Sequence, residues 1–209
     1  MTRLPRLRRF AREETGTALV EFAVVMPLFL LILFSLIDFG RLGFEYVMAN
    51  KAVQMAARIA VARPPACGGV PNVNTRGTVP VGSVPPYFGT NCRAGANICA
   101  DPGPKSCAGS GNNPTVAEIW GKVSALMPSG STAANLNFTY AFDPDLGFLG
   151  GPYTPMVTVE IRNLQFQFVT PLDGLARLAG ATGTLPSTLT FPPLSVSLPA
   201  EDLAQGEAG

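Results

Sequence analysis

A-L-V-E-F-A-V-V-M-P-L-F-L-L-I-L-F-S-L-I, residues 18 to 37, carries one charge in twenty residues, Glu21. As a helix it would rise about 30 Å, the thickness of a bilayer's hydrocarbon core. Nothing along it marks a solvent face, so a core helix of a water-soluble domain is a poor reading. A cleaved secretory signal is the stronger rival. Its apolar region is usually about 7–15 residues and ends in small residues, whereas this run is longer and ends in Asp38-Phe39-Gly40-Arg41. The run therefore reads as a retained transmembrane anchor.

The flanks set its direction. Arg3, Arg6, Arg8, Arg9 and Arg12 precede the run, against Glu13 and Glu14. Beyond it Asp38, Arg41, Glu45 and Lys51 cancel. Positive charge stays inside, so the basic end is expected in the cytoplasm and the rest across the inner membrane, in the periplasm.

Helical periodicity continues past the run. Leu42, Tyr46, Ala49, Val53, Ala56 and Ala60 form one stripe, with Lys51, Gln54 and Arg58 opposite. Pro64-Pro65 stops it, and Gly40 and Gly43 are its weak points. One helix of roughly forty-five residues is expected, half in lipid and half laid on a domain.

Composition narrows the function. The net charge is +1, too small to attract nucleic acid. The chain has no histidine, which removes the commonest general base and metal ligand. Glu118, Glu160 and Asp173 suggest no dyad, so an enzyme is not expected, nor a cofactor, a metal or a small-molecule substrate. Cys67, Cys92, Cys99 and Cys107 all follow the apolar run, and an even number in an exported region suggests two disulfides over a zinc site. Their pairing stays open among three possibilities.

Residues 64–113 hold eight prolines and nine glycines and read as a loop region that the cysteines pin. Asn113-Pro114 then starts a helix, with Val116, Ile119, Trp120, Val123 and Leu126 on its apolar face, and Trp120 is assigned to the core. Leu136, Phe138, Tyr140 and Phe142 alternate as a strand, and Val157, Val159 and Ile161 do so again. Phe166 and Phe168 continue that strand or begin another. A short helix is expected from Pro171 to Leu178, and a last strand over Leu189 to Leu198 that Pro192-Pro193 puts at an edge or splits. Asp143 and Asp145 read as a turn before a calcium site, and Asn137-Phe138-Thr139 matches a glycosylation acceptor within a strand. The fold class is α+β, a long helix packed on a small antiparallel sheet.

Glu21 has two readings, an interfacial carboxylate that reaches water or a buried charge with a partner. Its neighbours favour the second. A basic leader, then Gly16-Thr17-Ala18-Leu19-Val20-Glu21-Phe22, then the apolar run resembles a type IV prepilin. The resemblance implies cleavage after Gly16 by a prepilin peptidase, which leaves the Thr17 amine as counter-charge to Glu21 in a neighbouring subunit.

The stretch Gly16 to Arg41 further resembles the TadE-like family of tight-adherence (Flp) pilus systems. Its marks are V-E-F-A at Val20 to Ala23, Pro27 in the span, Asp38 before Gly40-Arg41, and A-V-Q-M-A-A-R-I-A from Ala52 to Ala60. V-T-V-E-I at Val157 to Ile161 and Thr170-Pro171-Leu172 match more loosely, and residues 66–113 depart as an insertion. The resemblance implies a pilin-like fold and a minor pseudopilin that helps assemble or prime the pilus. Glu21, Phe22 and Pro27 would serve subunit assembly, with other pilins and the assembly machinery as partners. Most of such a fibre is built from a shorter major pilin.

The chain accordingly divides into a basic leader (1–16), a span (17–40), an amphipathic continuation (41–63), the loop region (64–113), an exported α+β region (114–200) and an acidic flexible tail (201–209). The rival reading is an uncleaved, membrane-anchored binding or adhesion protein.

Overall fold

The computed structural model describes residues 14–201 and residue 203. The leader arginines and nearly all of the tail lie outside the described residues. Helix α1, Glu14–Ala60, runs without interruption for 47 residues, with Pro27, Gly40 and Gly43 all helical. It passes through two compact units, one comprising residues 1–44 and 166–189, the other 45–165 and 190–209.

The larger unit holds the sheet. Strands β1 (Lys105–Ala108), β2 (Leu136–Ala141), β3 (Met156–Ile161) and β6 (Leu194–Pro199) lie in the order β1-β2-β3-β6, every neighbouring pair antiparallel. The register sets Phe138 beside Val159 and Val159 beside Val196. Alternation then buries Leu136, Phe138, Tyr140, Val157, Val159 and Ile161 on one face. The other face is polar, with hydroxyl pairs Ser106–Thr139 at 2.9 Å and Thr158–Ser197 at 2.7 Å.

The same unit buries the second half of α1. Ala49, Ala52, Val53, Ala56, Ala57 and Ala60 are buried. Ala52 and Ala57 thus widen the stripe expected from periodicity, while Leu42 is half-buried and Tyr46 exposed. The edge of the Tyr46 surface is still used, since its ring stacks on Phe191 at 6.1 Å.

Helix α2, Pro114–Val123, is capped by Asn113, whose side chain accepts from the Val116 amide at 3.1 Å. It buries Val116, Ile119 and Val123. Trp120, assigned to the core from its stripe, is only half-buried, because it sits at the margin of that face.

The start of α2 clamps the chain where α1 ends. Thr115 Oγ1 donates to the Pro64 carbonyl at 2.8 Å, and Asn113 Nδ2 to the Ala66 carbonyl at 3.2 Å. Arg63 grips Glu118 through two hydrogen bonds of 2.9 and 3.2 Å. That guanidinium holds the Glu118 carboxyl below its usual range, against a smaller opposing effect of desolvation. The Tyr140 hydroxyl accepts from the Ala66 amide at 2.9 Å, and burial pushes its ionisation up.

Residues 64–113 are not loop throughout. β1, Lys105-Ser106-Cys107-Ala108, lies inside them as an edge strand, in a short run free of proline and glycine. The rest folds onto the break between β2 and β3. The Asn74 amide donates to the Gly151 carbonyl and the Gly150 amide to the Asn74 carbonyl, both at 2.9 Å, the Leu149 amide donates to the Thr90 carbonyl at 2.8 Å, and Asn74 Nδ2 donates to the Phe148 and Pro152 carbonyls at 3.3 and 3.0 Å. Gly150 has φ 83°, and a Cβ there would meet Phe88 at 2.5 Å, so a side chain is excluded twice over. Asp145 donates its amide to Asp143 Oδ1 at 2.9 Å, the turn that the sequence suggested.

Both disulfides are formed, Cys67–Cys107 and Cys92–Cys99. The first ties the chain just after α1 to β1, the second closes a short loop whose cysteines pack with Leu149 in a small core of their own. The last strand is both split and at an edge: β5 (Thr188–Thr190) pairs with β4 (Gln165–Gln167), and β6 resumes after Pro192-Pro193.

The loops closed differ, 40 residues against 7 in separation. Loop-closure entropy then gives about 4 kcal/mol for Cys67–Cys107 and about 2.4 kcal/mol for Cys92–Cys99. Chemical denaturation of the full chain in detergent, followed by the single tryptophan Trp120, is expected to show the larger loss for the Cys67→Ser/Cys107→Ser pair. An equal or reversed loss would mean that the short loop, not the long one, governs this unit.

Candidate functional site: the apolar helix and its buried aspartate

The first part of α1 presents its apolar side chains outward. Leu19, Val20, Phe22, Val24, Val25, Phe29, Ile32 and Leu36 are all exposed. By length and composition α1 is the one helix among the described residues able to cross a membrane, which is compatible with a single-pass anchor. Ser35 donates its hydroxyl to the Leu31 carbonyl at 2.6 Å, leaving no donor unpaired on that side chain.

Gly16 and Thr17 fall in the first turn of α1, which begins at Glu14. Glu21 is exposed one turn further on, as are Phe22 and, partly, Pro27. Thr17 and Glu21, four apart, share a face. Pro27 lies six residues beyond Glu21, so it occupies a different side, about 9 Å along the axis. It has no amide to offer, so the Ala23 carbonyl lacks its usual helical partner. The three residues expected to serve assembly are therefore spread around the helix and not gathered on one stripe.

Asp38 has a structural role that linear reading did not assign. It ends the apolar run and its side chain is wholly buried. A buried carboxylate is costly unless donors converge on it, and here they do. The Thr170 amide donates at 3.2 Å, the Val169 amide at 3.5 Å, and the Thr170 hydroxyl closes on the same oxygen as its amide. Arg41 Nη1 adds an ion pair at 3.4 Å one turn along.

Aromatic contacts surround this latch. Phe39 meets Phe168 edge-on at 6.3 Å, Phe168 meets Phe166 at 5.2 Å, and the Arg41 guanidinium lies over the Phe166 ring at 5.4 Å. Short helix α3, Leu172–Leu178, follows directly. In sequence Asp38 read as a flanking charge and as a mark of the TadE-like resemblance, with no partner assigned. The signal that could have found it was an acid ending an apolar run, with Thr170-Pro171 far downstream able to present an amide and a hydroxyl together.

A long apolar helix, compatible with a single-pass membrane anchor, continued by an alanine-faced half and joined to a four-stranded antiparallel sheet defines an α+β protein of pilin-like layout. The family model described as TadE-like protein matches residues 16–58. That segment is similar to the TadE-like family, in agreement with the resemblance read from Val20 to Ala23, Pro27, Asp38 and the alanine run. No protein of curated function matches the chain, and no solved structure does.

Removing the acceptor tests the latch directly. Hydrogen bonds to a charged group are worth about 1.5–3 kcal/mol. Asp38→Ala is expected to speed amide exchange at Val169 and Thr170 by roughly ten-fold or more, measured by hydrogen exchange in detergent micelles. Unchanged exchange at both amides would show that something other than Asp38 holds this segment.

Proposed function

We propose that this chain is a minor pseudopilin that helps assemble or prime a tight-adherence pilus. It would sit in the inner membrane by α1, basic end in the cytoplasm and sheet domain in the periplasm, and its role would be structural rather than catalytic. The observation that carries the reading is the pairing of Gly16 with Glu21 at the start of an outward-facing apolar helix, inside the TadE-like stretch 16–58.

The physical basis is charge in a poor solvent. A carboxylate near the bilayer centre costs roughly 2.5–3.5 kcal/mol. Cutting after Gly16 creates an ammonium at Thr17, and the two charges neutralise when brought together. A partner amine on a neighbouring subunit would fix axial register, because a displaced neighbour leaves both charges unpaired. Phe22 and Pro27 would shape the surface that the neighbour meets.

Two outcomes are expected. With the native prepilin peptidase present, mass spectrometry should find a mature chain beginning at Thr17, and Gly16→Ala should keep the leader. A mature chain that still starts at Met1 would favour an uncleaved anchored binding protein instead. Glu21→Leu should insert normally yet lower pilus number by about ten-fold for each 1.4 kcal/mol of lost pairing. Normal piliation in that variant would remove Glu21 from assembly.

A further inference from the structure

The segment that Asp38 holds is sparsely charged. Residues 166–189 contain two charged side chains in twenty-four, Asp173 and Arg177. Those two pair with each other at 3.1 Å, one turn apart on α3, and Asp173 Oδ1 also accepts from the Leu185 amide at 2.9 Å. The charge is thus spent locally. Meanwhile Val169 is 73% exposed, Leu178 74%, Leu185 48% and Leu189 41%. A loop that neutralises its few charges and turns four large apolar side chains outward has an uncovered surface.

Its position along α1 selects the occupant. The run Ala18–Ile37 rises about 30 Å, so Asp38 stands where the hydrocarbon of a spanned bilayer ends. Val169 and Thr170 are bound to Asp38 itself, and Phe168 rests against Phe39. Phe168 in turn donates its amide to the Ser187 carbonyl at 3.1 Å, which brings the far end of the loop back to the same level. Exposed Val169 therefore stands at the level where the apolar run of α1 ends.

We propose that residues 166–189, latched by Asp38, form a collar seated in the headgroup–acyl boundary of the membrane that α1 crosses. The proposal rests on α1 being a retained membrane anchor. An amphipathic element of this kind buries its apolar side about 5–10 Å into that boundary. The latch gives it a fixed height: the buried carboxylate binds backbone amides, so the loop cannot slide along the helix without stripping Asp38 of its donors. The collar would hold the span at one depth and resist its being drawn inward or outward.

The test reads depth and uses the full chain in a Trp120→Phe background, so that each introduced tryptophan is alone. Leu178→Trp reports the collar and Leu28→Trp the span. Both are reconstituted in phosphatidylcholine vesicles, with bromine near the headgroup end of the acyl chains to read Leu178→Trp and near their methyl end to read Leu28→Trp. Leu178→Trp emission is expected to fall by roughly half, as for a side chain within the boundary region, and Leu28→Trp emission to fall as well. Adding Asp38→Ala should restore the Leu178→Trp emission and leave the Leu28→Trp signal quenched. Quenching in the span but not at Leu178→Trp overturns the collar and leaves the anchor standing. A blue-shifted, unquenched Leu178→Trp signal overturns it in favour of a covering protein. Loss of quenching at both positions means that the anchor reading itself has failed. Persistent quenching at Leu178→Trp after Asp38→Ala overturns the latch as the device that sets depth.

Discussion

A helix of twenty consecutive lipid-compatible residues must be covered by something outside its own chain, and every other feature here is arranged around that constraint. The outward Leu, Val, Phe and Ile side chains between Leu19 and Leu36 have no protein cover. In water they would expose far more apolar surface than soluble monomers usually carry. Beyond Phe44 the same helix changes character. Large apolar residues give way to Ala49, Ala52, Ala56, Ala57 and Ala60, all buried. Small side chains let a helix approach its packing partners closely, whereas large ones suit the loosely packed acyl chains. One helix is thus suited to two surroundings, lipid along its first half and folded protein along its second, and the residue sizes switch between them.

How much of this is legible in sequence follows from which interactions are local. The helix, its proline stop, the Asn113 cap and the alternation of β2 and β3 are set by neighbours within a few residues, and all could be read from spacing. The alanine stripe was legible apart from its width, because periodicity locates the centre of a buried face but not how far the partner surface wraps around it. β1 escaped notice since four residues cannot establish a period, and the surrounding glycine and proline dominate any window that contains them. Trp120 was misjudged for a related reason: a stripe position says which way a side chain faces, not whether the face ends there.

The long-range features were not legible. The pairing of Cys67 with Cys107 depends on β1 lying against β2, so it could not be chosen before β1 was known. The packing of residues 72–92 onto residues 147–153 joins two stretches that each read as punctuation. Their backbone groups are satisfied by each other in place of regular secondary structure, which is how so much glycine and proline can still leave few amides without acceptors. The crosslinks then act on a chain that already has a folded route, and the long one closes the route back to the end of α1.

The two carboxylates that bracket the span complete the logic. Asp38 and Glu21 are seventeen residues apart, about 26 Å along a helix; Asp38 follows the apolar run and Glu21 lies four residues into it. Asp38 is enclosed by donors from its own chain, two amides, a hydroxyl and a guanidinium. Glu21, among the described residues, makes no such hydrogen bond or ion pair. The same chemistry therefore has two different solutions. An acid whose donors are intramolecular is a structural fixture, and it holds a loop at a defined height. An acid on an outward helix surface has no such donors from the described fold, and under the proposed assembly role a neighbour's amine would supply the partner that Asp38 finds in its own chain.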